Sequence, residues 1–326
     1  MSRIGRTLAA LSLAVALGAG FVSCDSKKSN NDGYGMAKVA CDESFERILQ
    51  QEIEVYEYIY PKSSIMPYYV NEKAAVDSLL DLGDVRTIVI ARPLTEKEKA
   101  YLKSNDKNVR ERRIAVDALA LIVNPQNTIE QLSKKELAEI LTGKVSEWGE
   151  IEPNKMGRID VVFDHQNSST VQYMKDSITN GAPFAPNVFA QGSNEAVFKA
   201  VASNPRAIGI IGVSWISADL DHQELTTEEL VAKSGESDTT SLDFDRSVKV
   251  LKVSGDDQVV AYKPYQAYIF DGSYPLYRSI YMTTVAVGGT TANGFYTFVT
   301  GFQGQKLIQM TGILPATVTP RMVSLE

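Results

Sequence analysis

Three consecutive hydroxyl side chains, Ser168, Ser169 and Thr170, are the residues of this sequence best placed to bind a ligand. They follow an apolar, β-branched run over residues 159–163, which predicts a buried strand, and they begin a segment whose apolar residues have helical spacing. The start of a helix presents unpaired backbone N–H groups and the positive end of the helix dipole, and both favour an anion. The sequence therefore predicts an anion site here. The alternative is that Ser168 only caps the helix.

The elements that must position this site alternate along the chain. The apolar patterns predict strands over residues 36–41, 64–70, 86–91, 110–123, 159–163, 188–190 and 207–213. They predict helices over residues 43–60, 72–82, 95–103, 133–141, 168–178, 194–203 and 292–312. Strands separated by helices of this length predict an α/β fold with parallel sheets flanked by helices. Residues 217–252 interrupt the alternation with nine acidic side chains, and they predict a solvated insertion with one helix over residues 226–232.

Residues 1–23 have the pattern of an export signal. Two arginines precede an apolar run that is too short to span a bilayer comfortably, and a small serine stands directly before Cys24. This junction resembles the bacterial lipoprotein cleavage box, so we expect removal of residues 1–23 and acylation of Cys24, for example with palmitate. The alternative is a plain signal peptide or a membrane anchor. The polar segment that follows predicts a flexible tether over residues 24–35, with the protein held at the periplasm-facing membrane surface of the cell envelope.

The charge balance limits the classes of partner. The formal net charge is −7 for the whole chain and −9 without residues 1–23, which contain two arginines and no acidic residue. This balance argues against general nucleic-acid binding. A small anion remains compatible with it, because nearby dipoles and hydrogen bonds dominate in a desolvated site.

Seven segments, in a shared order along the chain, resemble one known family. They are residues 90–98 (IARPLTEKE), 115–125 (AVDALALIVNP), 140–148 (ILTGKVSEW), 159–174 (IDVVFDHQNSSTVQYM), 207–210 (AIGI), 274–278 (YPLYR) and 304–308 (GQKLI). Together they are similar to the phosphate-type, PstS-like substrate-binding proteins of ABC transporters. The resemblance covers roughly residues 36–324.

The resemblance implies a two-lobe periplasmic-binding-protein type II fold, with mixed or parallel sheets flanked by helices and the ligand between the lobes. Two crossing strands, near residues 115–125 and 281–287, would join the lobes and act as a hinge. Lobe I would comprise residues 36–118 plus 286–326, and lobe II would comprise residues 119–285. A monomeric receptor without a cofactor or a metal ion is expected, with phosphate or a similar small oxyanion as ligand and an ABC transporter permease as partner.

The resemblance adds three candidate ligand residues. Ser44 lies at a strand-to-helix junction, where similar proteins supply a hydroxyl and backbone amides to the anion. Arg92 lies at the end of a predicted strand and would face the cleft, where its planar guanidinium can donate two hydrogen bonds to an oxyanion. The alternative is an ion pair with Glu96 or Asp117. Asn71 replaces a serine that is common in its loop, and it is also a candidate helix cap.

The sequence departs from the family pattern at Asp164. The phosphate binders usually carry an arginine four residues before the first serine of this motif, and here that position is acidic. A carboxylate in the cleft would accept a hydrogen bond from a protonated oxyanion and would disfavour a fully ionised one such as sulfate. The alternative is that Asp164 pairs with Arg92. The neighbouring His165 is interpreted as an exposed turn residue, although its protonated form would add positive charge.

Catalysis is not predicted. The chain has two histidines, His165 and His222, and it contains no nucleophile elbow, zinc-binding helix or phosphate-binding loop motif. Besides the transport receptor, one alternative function stays open. It is a ligand-sensing or structural surface lipoprotein of the same fold with a lost or altered anion site.

Overall fold

The computed structural model describes residues 35–217, 226–234, 240–241, 244–320 and 322–323. The predicted export signal, Cys24 and most of the tether lie outside the described residues, as does part of the acidic insertion. Among the described residues, no helix has both the length and the apolar composition needed to cross a membrane.

Fourteen strands are described, and the longer ones carry apolar and β-branched runs. They are β1 Gly35–Asp42, β2 Ser63–Val70, β3 Val85–Ile90, β4 Arg110–Val123, β5 Gln131–Ser133, β6 Asp160–Phe163, β7 Val188–Ala190, β8 Ala207–Gly212, β9 Thr240–Ser241, β10 Lys249–Val250, β11 Lys252–Ser254, β12 Tyr277–Thr284, β13 Leu314–Pro315 and β14 Met322–Val323. The predicted bounds of β4 and β7 are confirmed, and those of the other predicted strands up to β8 differ by one residue at one or both ends. The crossing predicted near residues 281–287 corresponds to β12, which begins four residues earlier.

The main sheet has the strand order β2-β1-β3-β12-β4-β8-β6-β7, with β10 and β13 also paired to β4. The pairs that β1 makes with β2 and β3, and those that β6 makes with β7 and β8, are parallel. β12 runs antiparallel to both β3 and β4, and β4 also runs antiparallel to β8. The sheet is therefore mixed, whereas strand–helix alternation alone predicted parallel strands. An apolar run indicates burial on both faces and carries no information about strand direction.

The long strand β4 links the two groups of parallel strands. Its residues 110–118 pair with β12, and its residues 119–123 pair with β8. Every residue from Ile114 to Val123 is buried, so the linking segment lies in the hydrophobic core.

The helices cover the sheet. They are α1 Glu46–Ile59, α2 Glu72–Leu80, α3 Glu96–Ser104, α4 Lys134–Thr142, α5 Ser169–Tyr173, α6 Asn194–Ser203, α7 Thr227–Ser234, α8 Gln266–Phe270, α9 Thr291–Val299 and α10 Phe302–Met310. The single helix predicted over residues 292–312 is two helices, because the chain turns at Thr300 and Gly301. Helix α5 continues as one π-helical turn, Met174–Ile178.

Candidate functional site

The site lies where β1 and β6 end. Asp42 closes β1, and a single 3-10 turn, Glu43–Phe45, then places Ser44 in the interior. The Asp42 carboxylate holds this turn, since the Ser44 N–H donates to Asp42 Oδ1 at 2.9 Å. Ser44 Oγ lies 3.2 Å from Ser169 Oγ, so the strand-end turns of β1 and β6 meet at their hydroxyls.

The three hydroxyls at the start of α5 have different roles. Ser168 caps the helix, because its Oγ accepts the Val171 N–H at 3.2 Å and donates to Asp164 Oδ1 at 2.6 Å. Ser169 faces Ser44. Thr170 is buried, and its Oγ1 has no hydrogen-bond partner among the described residues. The capping alternative therefore describes Ser168, whereas Ser169 and Thr170 remain candidate donors to a ligand.

A residue that the sequence did not single out supplies the central positive charge. Arg278 of β12 is 5% exposed, and its Nη1 donates to Ser169 Oγ at 2.6 Å. Its Nε and Nη2 donate to Asp117 Oδ2 at 3.2 and 3.1 Å, and its guanidinium carbon lies 4.7 Å from the centre of the Phe45 ring. The sequence signal for this residue is its position in the YPLYR segment, one of the segments that resemble the family. In the structure, Arg278 of β12 is the strand-pairing partner of Asp117 of β4.

Three buried carboxylates belong to the turns and strands of this site, and each keeps one oxygen without a hydrogen-bond partner among the described residues. These oxygens are Asp42 Oδ2, Asp117 Oδ1 and Asp164 Oδ2. Burial raises the pKa of Asp117, while the adjacent Arg278 opposes the rise. Burial also raises the pKa of Asp164, opposed mainly by the hydrogen bond from Ser168. The site therefore offers hydrogen-bond acceptors as well as donors.

Arg92 and Asn71 line the same cavity of about 540 Å³ as Ser168, Ser169 and Arg278. The Arg92 guanidinium is already paired, because it donates to Glu98 at 2.9 and 3.0 Å and to Glu72 at 3.0 Å.

The ion-pair alternative thus describes Arg92, but the predicted partners Glu96 and Asp117 are wrong. Helix α3 begins in a capping box that turns Glu98 back towards Arg92 and leaves the Glu96 side chain outward. Asp117 is held instead by Arg278.

Hydrogen bonds also define the positions of Asn71 and Asp164. Asn71 caps α2, accepting the Ala74 N–H at 2.9 Å. Asp164 accepts a hydrogen bond from Ser168 and does not pair with Arg92. The neighbouring His165 is half-exposed, and its Nε2 lies 3.4 Å from Glu43 Oε2.

The strand order is that of a periplasmic-binding-protein fold, and the donor cluster lies at the strand ends where such a fold binds its ligand. Residues 26–301 match the family model described as PBP superfamily domain, which spans most of the chain, so the chain belongs to that superfamily.

Several phosphate-binding proteins are similar to it. The phosphate-binding protein PstS of Staphylococcus aureus is 24% identical over 143 residues, which are 43% of this chain and 42% of that protein. The matched part thus spans less than half the length of these curated relatives.

Solved structures of this class share the fold. One is described as a phosphate ABC transporter substrate-binding protein of Clostridium perfringens with bound phosphate, with a TM-score of 0.66 and 19% identity over 87% of this chain and 100% of that one. Another is an ABC-type phosphate transport receptor of Vibrio cholerae, with a TM-score of 0.61 and 21% identity over 85% of this chain and 99% of that one. The predicted two-lobe α/β fold is confirmed.

Proposed function

We propose that this protein captures phosphate or a similar small oxyanion between its two lobes and delivers it to an ABC importer. The observation that carries the proposal is the meeting of Ser44, Ser169 and Arg278 at the carboxyl ends of β1 and β6, where ligands of open α/β sheets bind. Hydroxyl, guanidinium and helix-start N–H groups are the donors that suit an oxyanion. The phosphate-binding relatives support the same ligand class.

The buried acceptor oxygens limit which oxyanions the site can bind. Asp42, Asp117 and Asp164 each have one buried oxygen without a hydrogen-bond partner among the described residues, and a carboxylate oxygen accepts hydrogen bonds only. A protonated oxyanion such as monohydrogen or dihydrogen phosphate brings the missing O–H donor, whereas sulfate at neutral pH brings none. We therefore infer selection of phosphate over sulfate at this site.

The proposed site comprises Ser44, Ser169, Thr170, Arg278 and Asp164. Ser168 contributes through its hydrogen bond to Asp164, and Asn71 and Arg92 contribute at the cavity wall. In the described arrangement Ser169 bonds both Ser44 and Arg278, so a ligand replaces the contact between the two serines.

The remainder of the proposal concerns location. We infer that the chain is exported, cleaved before Cys24 and held by lipid on that cysteine, because the sequence around it resembles a lipoprotein cleavage box. Lobe I then comprises residues 36–118 plus 286–326, and lobe II comprises residues 119–285.

Phosphate should raise the melting temperature of the protein, and Thr170→Val should abolish most of this rise. Thr170 Oγ1 makes no hydrogen bond among the described residues, so its replacement by an isosteric methyl group should not lower the melting temperature without ligand. Loss of one hydroxyl donor to a charged ligand should weaken binding by about 10- to 100-fold. The measurement is a thermal-shift titration with phosphate and with a panel of other oxyanions.

Thr311→Val is the matched control. Thr311 is equally buried, but its Oγ1 donates to the Ile308 carbonyl at 2.7 Å. This variant should lose about 1 kcal/mol of stability and keep the full phosphate shift. If no oxyanion shifts the wild-type protein, the transport proposal fails and the sensor or structural alternative is favoured.

A further inference from the structure

A second depression, of about 840 Å³, lies at the opposite edge of the sheet from the oxyanion site. Strands β1, β3 and β4 begin there, and β12 ends there. Thr284, the last residue of β12, pairs with Thr87 of β3 and with Arg110 of β4. The candidate oxyanion site follows the other end of β1. The eight residues of β1 separate the two regions by about 23 Å.

Basic side chains dominate this depression, although the protein as a whole is acidic. Its lining contains Lys38, Arg86, Lys107 and Arg110 against only two acidic residues. Lys38 is paired with Asp84 at 3.1 Å. Among the described residues, Arg86 and Lys107 have no carboxylate within ion-pairing distance, so their charges are available to an anion.

Three further features of the depression favour an anion. Helix α9 begins in it, and the backbone N–H groups of Thr291 and Ala292 lie in its first turn. Thr291 is 3% exposed, and its Oγ1 has no hydrogen-bond partner among the described residues. The guanidinium carbon of Arg110 lies 5.1 Å from the centre of the Tyr296 ring, and this contact holds the guanidinium in position.

Exposed apolar side chains lie beside these charges. Met36 is 66% exposed and Val287 is 75% exposed, and both line the depression. Val287 precedes an exposed Gly288-Gly289 turn. Basic groups next to exposed apolar side chains are the combination that binds the surface of an anionic bilayer.

The position of the depression along the chain fits a bilayer as its occupant. Met36 is the second described residue, and the eleven residues 25–35 separate it from Cys24, the proposed lipid anchor. Eleven residues span at most about 40 Å. The described residues nearest in sequence to the anchor therefore lie at this edge of the sheet.

We propose that this depression binds the phosphate groups of anionic phospholipids and turns this edge of the sheet towards the membrane. Arg86, Lys107 and the start of α9 contact the headgroup phosphate, and Met36 and Val287 enter the headgroup layer. This inference rests on the proposed lipid anchor, whose own failure would appear separately as an unmodified Cys24 in the mass spectrum of the full-length product.

The test places a fluorophore at the proposed contact. A Val287→Cys variant of the lipidated protein is labelled with an environment-sensitive dye, because Cys41 is buried and Cys24 is acylated. The protein is reconstituted in vesicles that contain a headgroup nitroxide quencher, with phosphatidylcholine alone or mixed with phosphatidylglycerol. Strong quenching is expected only with phosphatidylglycerol. The double change Arg86→Gln with Lys107→Gln should weaken the contact about 30-fold, at about fivefold per charge.

Two controls make the result specific. Lys135→Gln with Lys199→Gln removes the same charge from exposed lysines outside the depression and should leave quenching unchanged. A dye at Phe270→Cys, another exposed position outside the depression, should not be quenched.

Equal quenching with both lipids, or no effect of the Arg86 and Lys107 changes, would overturn the proposal. It would also be overturned if inorganic phosphate alone changed the dye signal in phosphatidylcholine vesicles in an Arg86-dependent way. That outcome would identify a site for a soluble anion instead.

Discussion

Replacing Arg278 by methionine is expected to abolish phosphate binding and to lower the free energy of unfolding by about 3–5 kcal/mol. Arg278 is buried and is the partner of the buried Asp117 carboxylate. Methionine fills a similar volume, but it leaves a carboxylate in the interior without its cation. The binding loss follows because the same guanidinium contacts Ser169 in the proposed site. Urea unfolding and phosphate titration of the purified variant measure the two effects.

A second variant separates the binding effect from the folding effect. In Arg278→Met with Asp117→Asn, the uncompensated charge is removed, and the amide still accepts the hydrogen bond that Val213 N–H gives to Asp117. Stability should recover to within about 2 kcal/mol of the wild type, while phosphate binding stays lost. A double variant that binds phosphate as the wild type does would remove Arg278 from the site.

Replacing Glu52 by glutamine is expected to stabilise the protein at pH 8 by about 2 kcal/mol. Glu52 lies in α1, is 1% exposed, and has no hydrogen-bond partner for either carboxylate oxygen among the described residues. Its surroundings are tightly packed, since a Cβ at Gly304 would lie 2.8 Å from Glu52 Oε2. Burial therefore raises the pKa of Glu52 well above its ordinary value.

The sign of the pH dependence follows from this raised pKa. The folded protein keeps the Glu52 proton at pH values where the unfolded chain has lost it, so stability falls as pH rises above about 4.3. Glutamine does not titrate, so the advantage of the variant should be small at pH 5 and should grow towards pH 8. Urea unfolding in phosphate-free buffer at both pH values measures it.

Glu54→Gln is the control for this effect, because Glu54 lies on the same helix with an exposed side chain. Its change in stability should stay within about 0.5 kcal/mol. A Glu52→Gln variant that is less stable than the wild type at pH 8 would show that the ionised carboxylate has a stabilising partner.

The features that were predicted correctly depend on residues that are close together in the sequence. The spacing of Thr95 and Glu98 is typical of a capping box, and the structure contains both of its hydrogen bonds. The end of β4 was predicted correctly because its apolar run stops at Asn124 and Pro125, whereas its first four residues, 110–113, are charged. The hydroxyls of residues 168–170 were found because a strand followed by small polar residues and a helix is a local pattern.

The central arginine could not be found in this way. Arg278 and Asp117 are 161 residues apart, and only the antiparallel pairing of β12 with β4 brings them together. Strand direction is not encoded in apolar periodicity, so this pairing was not predictable. Asp164 is acidic where the family pattern has an arginine, so the motif lacks a cation of its own. The structure shows that the cation comes from another strand, with Arg278 bonded to Ser169 of the same motif.

Calorimetric titration of the wild-type protein with phosphate, in the absence and presence of excess sulfate, tests the central claim most directly. Donors from Ser44, Ser169 and Arg278 together with the buried acceptor oxygens predict one phosphate per chain, with an affinity that excess sulfate does not change. Absence of a binding signal with phosphate, or displacement of phosphate by sulfate at comparable concentration, would contradict this account of the site.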